Sequence, residues 1–218
     1  INSVKKFYYI STSEIYGDIL KFPIDESGLP APKTVYGSSK LAGENYAISY
    51  YKCYGLKTTI LRIFNNYGPR AHHEADAGEV IPRSIVNILY EKSPTVFGDG
   101  TVTRDFFYVK DTARALTMFI DKNLEGEIIN IGTGLEITIK ELILRIIDLM
   151  NININIKFLE DRPADVKRLW VNPSKFNSLI NFKSNYTFDS GLKETIEYYK
   201  GLSKSRNLLN DIIVKNWT

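Results

Sequence analysis

Two apolar runs that flank one helical segment restrict the fold of this chain more than any other feature. Val4-Lys5-Lys6-Phe7-Tyr8-Tyr9-Ile10 reads as a strand closed by a polar Ser/Thr turn. From Tyr36 to Tyr54 there is no proline, and Leu41, Tyr46, Tyr50 and Tyr54 recur at roughly helical spacing, with Gly55 placed to cap the helix end. Thr58 to Phe64 is β-branched and apolar, so a second buried strand follows. Strand, helix, strand is the alternation of a parallel α/β sheet.

The rest of the chain continues the pattern. Pro23 to Thr34, with three prolines and one glycine, is a loop, as is Asn65 to Glu79. Val80 to Lys92 reads as a helix with Pro82 in its first turn. Thr95–Phe97 and Arg104–Val109 are short strand candidates around a tight turn at Gly98-Asp99-Gly100. Asp111 is placed to cap a helix running to about Asn123, and Glu127 to Ile131 is a third apolar strand. Ile139, Leu142, Ile143, Ile146, Ile147 and Met150 share one face of a helix over Thr138–Met150. Asn153–Leu159 alternates as a strand. Pro173–Leu179 and Ser190–Tyr199 are short helices, and the tail from Lys204 to Trp217 reads as a last amphipathic helix.

Composition excludes several classes of function. The 218 residues are 44% hydrophobic and 24% charged, enough apolar material for a sizeable core. A net charge of +3, with no long basic block, gives no reason to expect a nucleic-acid partner. One cysteine, Cys53, rules out a disulfide framework within the chain and reads as a packing residue. With two histidines, a structural zinc site is not expected; His72, His73, Glu74 and Asp76 have spacing that fits no closed site and read as a flexible loop, so no metal is expected. No apolar run reaches the roughly 18–20 residues of a membrane span, and no signal-peptide pattern occurs.

The chemistry concentrates in two places. In Tyr36-Gly37-Ser38-Ser39-Lys40, Tyr and Lys stand four apart and share a helix face. A lysine ammonium beside a phenol favours phenolate and lowers its pKa from about 10, which makes tyrosine a usable acid or base near neutral pH. About twenty residues earlier, at a strand end, comes Ser11-Thr12-Ser13-Glu14-Ile15-Tyr16-Gly17-Asp18. Open parallel sheets bind ligands beyond the carboxyl ends of their strands, so these hydroxyls and the carboxylate face the same crevice as the helix start.

These motifs, with Leu61-Arg62-Ile63-Phe64-Asn65-Asn66-Tyr67-Gly68-Pro69, Glu79-Val80-Ile81-Pro82, Phe97 to Phe106, Tyr108-Val109-Lys110-Asp111, Asn130-Ile131-Gly132 and Arg162-Pro163-Ala164-Asp165, resemble the extended short-chain dehydrogenase/reductase family. Within it the chain is similar to the NAD-dependent nucleotide-sugar epimerases and dehydratases, over residues 1–200. The resemblance implies the last three strands of a Rossmann-type parallel sheet, with 1–70 and 101–135 in a partial NAD-binding domain. It also implies a smaller α/β nucleotide-sugar domain at 71–100 and 136–200, with 201–218 as a tail outside it.

The resemblance also assigns roles. Tyr36 is the base that takes a proton from a sugar hydroxyl as hydride leaves for NAD. Lys40 holds the nicotinamide ribose and tunes Tyr36, with Ser11 and Phe64 also at the cofactor. Thr12 bonds the reacting oxygen, and Ser13 and Glu14 complete the catalytic set. Asn65 and the Val80-Ile81 backbone contact a nucleoside-diphosphate sugar, and Arg104 and Arg162 clamp its diphosphate.

Glu14 fits a 4,6-dehydratase-like or decarboxylase-like site, whereas simple 4-epimerases resemble a loop without this carboxylate. Ser13 stands where thymidine-type glucose dehydratases carry Asp. The decarboxylases carry an arginine where this chain has Leu169, with Arg168 one residue off. The expected activity is therefore 4,6-dehydration or 4-epimerisation through transient C4 oxidation, with decarboxylation as the alternative. A cytoplasmic homodimer packed through the Tyr36–Tyr54 helix, serving surface-polysaccharide synthesis, is the corresponding expectation.

Residue 1 is Ile, and neither G-x-G-x-x-G nor G-x-x-G-x-x-G occurs in the sequence. The expectation is a fragment, the later two-thirds of a protein of roughly 310–330 residues, that by itself binds NAD poorly or not at all. The other reading is a short non-catalytic binding or scaffold module.

Overall fold

The computed structural model describes residues 4–215, except the side chain of residue 76. Along the chain run β1 (Phe7–Thr12), α1 (Val35–Tyr54), β2 (Thr58–Ile63), β3 (Asn65–Tyr67), α2 (Val80–Leu89), β4 (Thr95–Phe97), β5 (Thr103–Arg104), β6 (Phe106–Tyr108), α3 (Val109–Phe119), β7 (Ile128–Ile131), β8 (Ile137–Thr138), α4 (Ile139–Met150), β9 (Lys157–Leu159), α5 (Ser174–Ile180) and α6 (Phe188–Ser203). They form two compact units. The first comprises 1–66, 103–136 and 164–184, and the second 67–102, 137–163 and 185–218.

The first unit is built on a three-stranded parallel sheet in the order β1-β2-β7. Tyr9 pairs with Ile60, and Leu61 with Ile129. β1-α1-β2 is thus the crossover unit that the alternating pattern predicts. Thr34 caps α1 at its start, and Gly55 ends it at φ 66°, a left-handed conformation that glycine adopts without a Cβ clash. Leu61, Ile129 and Ile131 pack with Phe107, Ala115 and Phe119 in one buried cluster, and Ile15, Tyr16, Ile24, Phe64 and Val171 form another. The sequence boundaries place 164–184 with the nucleotide-sugar part; in the structure Phe176, Ile180 and Phe182 join the cluster of Phe107 and Phe119 in the first unit.

The second unit packs α2, α4 and α6 around Ile81, Ile85, Ile88, Leu142, Ile146, Leu192 and Ile196, with the parallel pair β4-β9 beside them. α4 starts on a full capping box. The Thr138 hydroxyl accepts from Glu141 N–H at 3.1 Å, and Glu141 Oε2 accepts from Thr138 N–H at 3.0 Å.

Four local expectations are corrected. Tyr108, not Asp111, stands at the N-cap of α3; Asp111 lies buried in the first turn, where its carboxylate accepts from Arg114 at 3.1 Å and from the Ser184 hydroxyl, so it ties two segments together. The tail forms only a short 3₁₀ turn at Leu208–Asp211, anchored by buried Leu208; positions 216 and 217 of the expected helix lie outside the described residues. Cys53 is exposed, because it falls on the solvent side of α1. His73 is not in a loose loop. It is buried, with Nδ1 3.3 Å from Glu74 and Nε2 3.4 Å from Asp211, and its ring packs edge-on to Tyr199. Among the described residues no group of His, Cys, Asp or Glu could hold a metal ion.

Candidate active site

β1 delivers its last residues, Ser11 and Thr12, to the carboxyl edge of the sheet, where the chain turns through a 3₁₀ segment, Ser13–Tyr16. Thr12 caps that turn: its hydroxyl oxygen accepts from Glu14 N–H at 3.3 Å. A hydroxyl used as an acceptor still has its proton to donate, so Thr12 can bond a ligand oxygen. Ser13 is buried at the start of the turn. Gly17 ends it at φ 58°, where a Cβ would stand 2.0 Å from the Ala31 carbonyl oxygen, so only glycine closes this turn.

Glu14 does not float on the surface. Its Oε2 accepts from the Thr34 hydroxyl at 2.9 Å, and the same hydroxyl accepts from Gly37 N–H at 2.9 Å as the cap of α1. One side chain therefore anchors both the carboxylate and the helix turn that carries Tyr36. Two glycines bring α1 close to β1 and its turn. A Cβ on Gly37 would stand 2.9 Å from the Glu14 carbonyl oxygen, and one on Gly43 2.0 Å from Tyr9 Oη.

Lys40 joins the two motifs. Its ammonium donates to the Ile10 carbonyl at 3.0 Å and lies 5.8 Å from the centre of the Tyr36 ring. The cation thus sits between the end of β1 and the half-exposed phenol. An ammonium has three N–H donors, and the Ile10 contact uses one. Ser11 Oγ and Asn65 Oδ1, on the ends of β1 and just past β2, are buried without a hydrogen-bond partner. Buried polar atoms are rarely left so, and these two retain unused hydrogen-bonding capacity. Phe64, by contrast, is 1% exposed, its ring committed to the core.

Arg104 is held by three protein acceptors, with Asp165 at 2.8 Å and the carbonyls of Thr103 and Val166 each at 2.8 Å. In the second unit, Val80 and Ile81 open α2, whose first N–H groups have no side-chain cap. Arg162 lays its guanidinium 4.7 Å from the Phe97 ring centre. Leu169 is fully buried, and Arg168 is paired with Glu136 through two hydrogen bonds, one of 2.7 Å.

Sequence reasoning missed a buried polar chain beneath this site. Arg62 makes two bonds to Glu44, at 3.0 and 2.7 Å, and a third to the Tyr16 hydroxyl at 2.7 Å; Tyr16 in turn donates to Asn130 Oδ1 at 2.8 Å. Burial pushes the Tyr16 phenol up against the pull of Arg62, so it keeps the proton it donates. The signal was available: Arg62 is a lone charge in an otherwise apolar strand, and such a charge is buried only if paired. Thr34 was also missed, since a helix cap in sequence does not reveal a second partner twenty residues back.

The sequence profile of the GDP-mannose 4,6 dehydratase family matches residues 1–195. The chain belongs to this family. It lies within the extended short-chain dehydrogenase/reductase group of nucleotide-sugar epimerases and dehydratases. A bovine dTDP-D-glucose 4,6-dehydratase (Bos taurus) is 32% identical over 90% of this chain and 56% of its own length. The dTDP-glucose 4,6-dehydratase 1 of Escherichia coli is 31% identical over 91% of this chain and 59% of its own. Among solved structures, the UDP-glucuronic acid 4-epimerase from Bacillus cereus, in complex with UDP-glucuronic acid and NAD, superimposes with a TM-score of 0.85 at 34% identity, covering 90% of this chain and 62% of that one. The chain therefore spans about three-fifths of the length of the relatives it matches. Both named activities occur at similar identity, so likeness alone does not choose between them.

Proposed function

We propose that the protein works on a nucleoside-diphosphate sugar by transient oxidation at C4, with NAD as its cofactor, as a 4,6-dehydratase or a 4-epimerase. The observation that carries this reading is the placement of the Lys40 ammonium between the Ile10 carbonyl and the Tyr36 ring. That is a cation–phenol pair at the carboxyl end of a parallel strand, where ligands of such sheets bind.

The residues present fit the nicotinamide side of the cofactor. Lys40 has donors for ribose hydroxyls, and Ser11 Oγ is a buried polar atom awaiting a partner. The sequence holds no glycine-rich turn for the pyrophosphate. NAD, when bound, supplies the reversible two-electron oxidation at C4. Tyr36 takes the proton of the C4 hydroxyl, its phenolate favoured by Lys40. The Thr12 hydroxyl holds the same oxygen. In the dehydratase branch Glu14, with Ser13 beside it, would take the C5 proton as the C6–O bond breaks and the hydroxyl leaves as water with a proton released in the site. The hydride taken from C4 would then return to C6 and a proton to C5, giving the 4-keto-6-deoxy sugar. In the epimerase branch Glu14 takes no proton: the hydride would return to the opposite face of C4 as Tyr36 gives its proton back to the C4 oxygen. Asn65, the Val80-Ile81 backbone, Arg104 and Arg162 receive the nucleotide and its diphosphate. Decarboxylation lacks support, since position 169 is a buried leucine and Arg168 is engaged by Glu136.

The same reading makes the protein a cytoplasmic homodimer that pairs through α1, whose Tyr46, Tyr50 and Tyr54 are exposed. The test is turnover of UDP-, dTDP- and GDP-hexoses with NAD by the full-length gene product, with products resolved by NMR. A 4-keto-6-deoxy product assigns the dehydratase branch, and a C4 epimer alone assigns the epimerase. Unchanged turnover in Tyr36→Phe overturns the reading.

A further inference from the structure

We infer that Arg62, acting through Glu44 and Tyr16, is a positioning residue that sets where the Tyr36–Lys40 helix sits against the Thr12–Glu14 turn. The inference rests on the proposed role of Tyr36 as proton acceptor and adds the group that aims it.

Thr12 and Tyr36 come from different elements, yet both must reach one substrate oxygen, each at a heavy-atom distance of about 2.6–3.2 Å. Their relative placement is set by whatever fixes α1 on β1. The Thr34 hydroxyl does this at the first turn of the helix. Further along, single bonds tie it to the sheet: Tyr9 Oη donates to the Lys40 carbonyl at 3.2 Å, Lys40 to the Ile10 carbonyl at 3.0 Å and the Thr58 hydroxyl to the Ala47 carbonyl at 3.3 Å, while α1 buries only Gly37, Glu44 and Ala47 over its whole length. Glu44 is the one charged residue of the three, 1% exposed, on the helix one turn beyond Lys40.

Arg62, 3% exposed in the central strand β2, binds both Glu44 oxygens and passes a third bond to Tyr16, the last residue of the turn that Thr12 begins. Tyr16 is then held from its other side by Asn130 on β7, whose N–H is accepted by Glu26 at 2.8 Å. One guanidinium thus fixes helix, central strand and catalytic turn at once. A buried ion pair is a poor way to gain stability, because apolar side chains of similar volume do as well or better. Its planar fork is, however, a good way to hold two elements at one distance and angle. Lys40 reports the result. Its ammonium is tethered to the Ile10 carbonyl on β1, so sliding α1 along β1 draws the cation away from the Tyr36 ring.

The experiment places 3-fluorotyrosine at position 36 of this chain and follows its ionisation by fluorine NMR. Two variants remove the link differently. Tyr16→Phe deletes one hydroxyl, and Glu44→Leu with Arg62→Met replaces the ion pair by apolar volume. In the parent the probe is expected to titrate below free 3-fluorotyrosine in the same buffer. In each variant the midpoint is expected to rise by about half a pH unit or more, with far-ultraviolet circular dichroism unchanged. A folded variant whose midpoint stays at the parent value overturns the positioning role alone. A parent whose probe titrates like the free amino acid overturns the role of Tyr36 and this inference with it. Loss of the folded signal in both variants shows a purely structural network and also overturns it.

Discussion

The Thr34 hydroxyl donates to Glu14 Oε2 at 2.9 Å across twenty residues of chain, while its oxygen caps α1 by accepting from Gly37 N–H. Thr34→Val keeps the shape and removes both bonds. Loss of such a cap costs about 1 kcal/mol, and the freed Glu14 carboxylate adds to it. Urea denaturation is expected to show that loss, and Thr34→Ser to recover most of it. A valine variant as stable as the parent contradicts the bridge.

Gly43 tests the close approach of α1 to β1, because two effects oppose each other there. Helix propensity favours alanine over glycine by about 0.8–1.0 kcal/mol. Yet the new Cβ would stand 2.0 Å from Tyr9 Oη and 2.3 Å from Cζ of the same ring. Overpacking of this kind costs about 1–3 kcal/mol, and moving the ring breaks the Tyr9 bond to the Lys40 carbonyl at 3.2 Å. The expected outcome for Gly43→Ala is a net loss of stability. A gain means that the helix stands further from the strand.

Phe176 tests the assignment of residues 164–184 to the first unit. It is 1% exposed and lies 4.9 Å from Phe182 and 6.1 Å from both Phe107 and Phe119, ring centre to ring centre. Phe176→Ala is expected to cost about 3–5 kcal/mol, measured by thermal or urea unfolding. Phe158→Ala, at a ring 47% exposed, is the control, with an expected change of about 0.5 kcal/mol or less.

Asp105 predicts a pH dependence. Burial pushes its carboxyl above the ordinary value of 3.8, more than the bonds from Thr133 and Gly134 pull it down. The native state therefore keeps this proton at pH values where the unfolded chain has lost it. The stability Asp105 contributes is complete below its unfolded pKa and declines as pH rises through its native one. The difference in melting temperature between the parent and Asp105→Asn, followed upward from about pH 3.8, is expected to shrink or reverse as Asp105 ionises. A difference that does not change with pH refutes this.

Much of the site was legible because its parts are local. Tyr36 and Lys40 share a helix face by spacing alone, and Thr12, Ser13 and Glu14 follow a strand end by hydrophobic pattern. Gly55 announces its own left-handed cap. What failed were statements about partners. Asp111 reads as a helix cap, but its carboxylate is claimed by Arg114 and Ser184. His73 reads as loop, but Asp211, far along the chain, stands 3.4 Å away in the structure. The Lys204–Trp217 pattern reads as a helix, but Leu208 is buried in a short turn and the Arg83 guanidinium bonds the carbonyls of Ile213 and Val214, carbonyls that a continuing helix would have used itself.

The strand–helix–strand frame and the residue types at the carboxyl end of β1 follow from local sequence, because periodicity and turn chemistry act over a few residues. Folding is what joins Glu44, Arg62, Tyr16 and Asn130 in one buried chain, brings Thr34 to Glu14 and leaves Ser11 and Asn65 with unpaired polar atoms. Those facts depend on which distant groups meet once water is excluded. A charge in an apolar strand announces that a partner is needed, and the folded chain alone shows which one is within reach.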